Sequence, residues 1–95
     1  MKRIFKYPLP LVVKGGVAQW NSNIEAEIPA GAQILSVAIQ FGAPVMWAKV
    51  DPEAEKKTRS LFILATGAEV PDGVRFIGTL IFEDGGLVFH VFEKV

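Results

Sequence analysis

Apolar and polar positions alternate most sharply between residues 22 and 41. Ile24, Ala26 and Ile28 alternate with Glu25 and Glu27, and Leu35, Val37, Ile39 and Phe41 alternate with Ser36, Ala38 and Gln40. A period of two belongs to a strand with one face buried. No segment sustains the longer period of an amphipathic helix. Short β-branched and aromatic runs recur instead at 2–8, 17–28, 33–41, 45–50, 58–66, 74–83 and 87–94, with Gly, Pro, Asn and Asp between them. The pattern predicts an all-β antiparallel sandwich or partly open barrel of about seven short strands. Turns are expected at 29–32, 42–44, 71–73 and 84–86. Gly42 and the Asp84-Gly85-Gly86 triplet supply the positive φ angles of tight hairpins. The charged stretch 51–59 opens with Asp51, Pro52 and Glu53, a capping oxygen, a fixed φ and an acid, and so predicts a helical turn or a mobile surface connection.

The later strands are apolar on both faces. Leu61 and Ile63 oppose Phe62 and Leu64; Phe76, Leu80 and Phe82 oppose Ile77 and Ile81; Leu87, Phe89 and Val91 oppose Val88, His90 and Phe92. Two-faced strands are either central in a layered core or covered by another subunit. In 95 residues, enough for one core and a single domain over 1–95, the second is expected, and with it a homo-oligomer. The hydrophobic fraction of 51% points the same way, because so short a chain cannot hide that much apolar surface in its own interior.

Charge and cysteine content narrow the chemistry. Ten basic and ten acidic residues cancel, with no basic stripe, so direct nucleic-acid binding through a phosphate-tracking groove is not expected. The absence of cysteine removes disulfides, thiolate zinc sites and cysteine nucleophiles, and leaves the redox compartment open. The opening MKRIFKYPLPLVV is interrupted by Lys6, Pro8, Pro10 and Lys14 and reads as a first strand rather than a leader. No apolar run approaches the ~18 residues of a membrane helix. Cytoplasmic location, with no membrane, is the expectation.

Five residues are candidates for a site. Trp47 and Lys49 point outward if Met46, Ala48 and Val50 face the core, and an outward tryptophan offers a recognition surface; a register shift of one would bury it. Arg59 and Arg75 stand at the starts of two strands, where they either remain solvated or gather with Lys49 around an anionic ligand. His90 is the one histidine, flanked on its own face by Val88 and Phe92. Either it is a packed strand residue with a single hydrogen bond or it contacts a ligand; catalysis would require an orienting acid and a nucleophile or water. One histidine does not make a zinc site. Trp20 is expected under a turn, and Thr66 with Gly67 belongs to a small polar loop able to line a pocket. Phosphate-binding loops, dinucleotide fingerprints, metalloprotease helices and nucleophile elbows are missing. No catalytic residue, metal or cofactor is therefore assigned.

The blocks IPAGAQILSVAIQFGAPVMWAKVDPEA (28–54), ATGAEVPDG (65–73) and GGLVFHVFE (85–93), with IFKYPL (4–9), resemble a family of small uncharacterised proteins encoded mainly by bacteriophages and prophages. The match is weakest at 10–23 and in the charged stretch. The family carries no assigned activity, so the resemblance hands over no functional residue. It places a histidine in the last strand, at His90 here. The family's His-Pro pair after Thr-Gly is replaced by Ala68-Glu69-Val70-Pro71, which removes any role that needs the second histidine.

The resemblance implies a phage-encoded accessory protein. With no catalytic constellation, the expected function is binding in the host cytoplasm, either sequestration of a small anionic, nucleotide-like signal molecule or inhibition of a host defence protein. Sequestration would use Trp47, Lys49, Arg59 and Arg75, with His90, at a subunit boundary. A structural virion or assembly component is the alternative, and an enzyme with its site built between subunits is the third.

Overall fold

The computed structural model describes residues 1–10, 12–14, 17–19, 23–82 and 85–95, with the backbone alone for 12–14 and 17–19. Trp20 and Asp84, singled out above, lie outside the described residues. Among the described residues nine strands run β1 (Arg3–Pro8), β2 (Val12–Lys14), β3 (Val17–Gln19), β4 (Ile24–Pro29), β5 (Gln33–Gln40), β6 (Ala43–Val50), β7 (Lys56–Ala65), β8 (Val74–Ile81) and β9 (Val88–Lys94). Seven of them form two open antiparallel sheets, ordered β1-β6-β5 and β4-β7-β9-β8, and β2 with β3 makes a separate short hairpin. The fold is all-β, and its sheets do not close into a barrel.

The core lies between the sheets. Ile24, Leu61, Ile63, Leu80, Phe89 and Val91 come from the four-stranded sheet, and Val37 and Met46 from the three-stranded one. A smaller cluster of Ile28, Ala32, Ala48 and Val50 fills the end where the chain crosses between sheets. Both crossings are tied there, since Ala30 N donates to Glu55 O at 2.7 Å. The sheets approach closely at Gly78, where a Cβ would sit 2.7 Å from Val37 Cγ2.

Strands 7 and 9 keep the expected alternation: Leu61, Ile63, Phe89 and Val91 are buried, while Phe62, Leu64, Val88, His90 and Phe92 turn to the outer face. Strands 5 and 8 do not. A bulge between Ile34 and Ser36 reverses the parity, so Ile34 packs on the core and Leu35 is exposed, contrary to the strict alternation of 33–41. A second irregularity between Phe76 and Gly78 places Phe76 on the outer face beside Phe92, with Leu80 inside. Residues 17–28 are two strands rather than one. The stretch from Asp51 makes its turn, with Glu53 N donating to Asp51 Oδ1 at 3.1 Å and Ala54 N to Asp51 O at 3.0 Å. From Lys56, however, the chain is already strand paired with β4, because Pro29 opposes Lys56.

Phe41 is not a core residue either. It is 94% exposed and occupies the two-residue β5–β6 turn with φ +52°, followed by Gly42 at φ +76°. Two successive positive φ angles mark the type I′ hairpin, which favours Asn-Gly and disfavours an aromatic at its first position. Phe41→Asn is expected to stabilise the fold by about 0.5–1 kcal/mol. Urea unfolding would show it as a higher midpoint at unchanged slope; a lower midpoint would mean that Phe41 packs against something in solution.

Candidate functional site

Inward parity in β9 runs Phe89, Val91, Glu93, so the alternation that buries two apolar side chains carries a carboxylate into the same layer. Glu93 is 2% exposed. Burying an ion without partners is prohibitive, and two strands supply them. Arg59, diagonal to Glu93 on β7, donates from Nε to Glu93 Oε2 and from Nη2 to Oε1 at 3.0 Å, a bidentate fork. Arg75, directly opposite on β8, donates from Nη2 to Oε1 at 2.7 Å and from Nε at 3.3 Å. Arg59 Nη1 also donates to Ala32 O at 2.8 Å, which pins the turn leaving β4. Arg59 is largely covered, with 21% of its side chain exposed, while 59% of Arg75 meets water. Burial by itself would raise the Glu93 pKa, but the hydrogen bonds and positive charges of the two arginines outweigh it and hold the carboxyl below its ordinary value of 4.5. The Arg59 guanidinium is in turn held above its ordinary value by its bond to Glu93, against the opposing effect of burial.

His90 faces the opposite way, onto the outer surface of the four-stranded sheet. Its Nε2 lies 2.9 Å from Thr66 Oγ1 and its Nδ1 3.1 Å from Thr79 Oγ1. Either tautomer is satisfied, because a hydroxyl donates or accepts as required. Both ring nitrogens thus meet hydroxyls, whereas an imidazole acting as general base is ordinarily oriented by a carboxylate. Thr66 also lines a shallow groove of about 310 Å³ with Gly86, Leu87 and Val88. The 66–73 connection passes over this face, since Glu69, Val70 and Pro71 share a groove of about 350 Å³ with Phe62 and Leu64. Around it lie Phe76 and Ile81, each 59% exposed.

Trp47 and Lys49 sit on a third surface, the outer face of the three-stranded sheet. Met46, Ala48 and Val50 are fully buried, so the register that turns Trp47 outward is the one found, with Trp47 half-buried and Lys49 exposed. Of the five candidates the structure brings Arg59 and Arg75 together, Trp47 and Lys49 together, and leaves His90 apart. The anion that collects the two arginines comes from the chain itself. Three partners had no place among the candidates. Glu93 was signalled by its inward parity, Thr79 by counting back from the β8–β9 turn, and Lys6, which pairs with Trp47, by nothing local.

One comparison bears on kinship. The family described as "Domain of unknown function (DUF7352)" has a model that matches residues 1–95. The chain belongs to that family. No curated protein and no solved structure matches it. Membership in DUF7352 assigns no activity to Arg59, Arg75, Glu93, His90, Trp47 or Lys49, so their roles rest on the geometry above. Among the described residues of this DUF7352 chain, no group of three metal-ligating side chains converges, and no helix is long and apolar enough to cross a membrane.

Proposed function

We propose that the chain is a phage-encoded accessory protein of the host cytoplasm that assembles as a homo-oligomer and acts by binding. The phage association rests on the motif resemblance. The observation that carries assembly is the outer face of the four-stranded sheet. Phe76, Ile81 and Val70, more than half exposed, surround the half-buried Phe62, Leu64 and Phe92. The three exposed side chains alone leave roughly 300 Å² of apolar surface in water, already within the range of the largest patch on a typical monomer. The occupant that fits is a second copy. The strand positions of β7, β8 and β9 at the centre of this face carry no charge to be matched, and a two-fold contact sets identical apolar faces against each other.

Native mass spectrometry of gently purified protein tests the proposal. An oligomer is expected for the natural sequence and a monomer for Phe76→Glu, which places an unmatched charge within the apolar contact. A natural sequence that flies as a monomer, or a Phe76→Glu variant of unchanged assembly, overturns it. A bound mass of nucleotide size would identify the target as a small anion. A ligand-free oligomer would favour a host defence protein, and abundance in purified particles would favour a virion component.

A further inference from the structure

The outer face of the three-stranded sheet differs from the rest of the surface in charge. Strands β1, β5 and β6 contain no Asp or Glu, in a chain with as many acids as bases. Trp47 occupies the middle strand of that sheet. Lys6 stands directly beside it on β1 and Ser36 directly beside it on β5, while Lys49 follows two residues along the same face. Lys6 Nζ donates to Gln40 Oε1 at 2.9 Å. Gln40 opposes Ala43, so the Lys6 ammonium is drawn across β6 on the side of Trp47 away from Lys49; the acceptor is neutral and leaves its charge uncancelled. Among the described residues neither Lys6 nor Lys49 is in an ion pair.

An indole between two unmatched ammonium groups presents two chemistries within one side-chain spacing. Lys6 stands one strand away from Trp47, about 4.8 Å, and Lys49 two residues along the same strand, about 6.8 Å, so the two long side chains flank the ring from different sides. The indole offers a stacking surface for a planar ring, as aromatic side chains on sheets do for bases. The ammonium groups offer point charges for a phosphate, strengthened by the lack of any competing carboxylate in the sheet.

We propose that this face binds a phosphate-bearing planar heteroaromatic molecule, a nucleotide, with its base on Trp47 and its phosphate on one of the two ammonium groups that flank the ring, Lys6 or Lys49. The proposal rests on the reading that the chain acts by binding, and it names the ligand class and the site. Arg59 and Arg75 are not part of it, because Glu93 engages both. The site lies on the opposite side of the sandwich from Phe76 and Ile81 and stays open in an assembly joined through them.

The test uses the full chain with Trp20→Phe, which leaves Trp47 as the sole tryptophan. ATP, a cyclic dinucleotide, inorganic pyrophosphate and oligothymidylates of increasing length are titrated while indole fluorescence is followed. Saturable quenching by the nucleotides is expected, with none by pyrophosphate, which lacks a base. The Lys6→Gln, Lys49→Gln double variant, which leaves the ring in place, should bind at least about tenfold more weakly. Calorimetry on Trp47→Ala should show a loss of similar size. Tighter binding of longer oligothymidylates would assign the nucleotide to a strand, and length-independent binding to the free molecule. Failure of every base-bearing probe to quench at millimolar concentration, or unchanged affinity in the lysine double variant, overturns the proposal. Native mass spectra separate it from the assembly reading. Trp47→Ala should keep its oligomeric mass, and Phe76→Glu should keep its quenching.

Discussion

Replacing Glu93 with alanine is expected to cost about 3–5 kcal/mol, because it leaves a largely covered guanidinium, Arg59, with no carboxylate. In a domain of this size that is a fall in Tm of roughly 15 °C or more. Arg75→Ala removes a partner that is mostly in water and should cost less than about 1 kcal/mol. Thermal or urea unfolding of the two variants side by side reads the contrast, and similar small losses in both would mean that the buried fork contributes little. The acid limb gives an independent reading. The folded pKa of Glu93 lies below the ordinary value of 4.5, so its contribution is complete above that pH and is lost as the pH falls through the folded value. Stability of the natural chain should therefore decline below about pH 4.5, and that component of the decline should be missing in Glu93→Gln.

Gly78→Ala is expected to destabilise the fold by about 1–3 kcal/mol, against the usual gain from replacing glycine in a strand. The new Cβ would meet Val37 Cγ2 at 2.7 Å, and Val37 is a stiff, buried side chain on the facing sheet. Trimming Val37 should relieve the clash. In a cycle of Gly78→Ala, Val37→Ala and the double variant, the double variant should be more stable than the sum of the single costs requires. Additive costs would show that the sheets separate freely at this point, and the idea of a fixed close contact would fail.

The legible and illegible parts of the fold divide along a physical line. Alternation in β7 and β9 was readable because neither strand is interrupted, so Leu61, Ile63, Phe89 and Val91 could be assigned to one face and His90 to the other. In β5 and β8 a single extra residue inverts everything beyond it; nothing in "QILSV" marks the bulge, and in "RFIGT" the one local sign is Gly78 within the strand. The same division governs the side-chain clusters. Ile81 opposes Val88 across the hairpin, so Thr79 opposite His90 follows by counting. Arg59 reaching Glu93 requires β7 to pair with β9, and Lys6 beside Trp47 requires β1 to pair with β6. These are long-range pairings, which local periodicity does not encode. Arg59 and Arg75 are expected from the sequence to stay solvated or to gather with Lys49 around a ligand; they meet on Glu93 instead, and Lys49 lies in the other sheet. Their anion went unrecognised because a glutamate at the end of an apolar strand looks like a solvated strand end until its neighbours are known.

The strand order carries a consequence for how the chain acquires this shape. Strands β7 and β8 are consecutive along the sequence yet never touch as neighbours; β9 is threaded between them, antiparallel to both. A nascent chain halted at residue 87 would thus carry two unzipped borders facing an empty slot, and Arg59 and Arg75 would be waiting for a carboxylate not yet made. The four-stranded sheet assembles only after translation has delivered Val88–Lys94. Until then its open borders are the surface most prone to pairing with a neighbouring polypeptide.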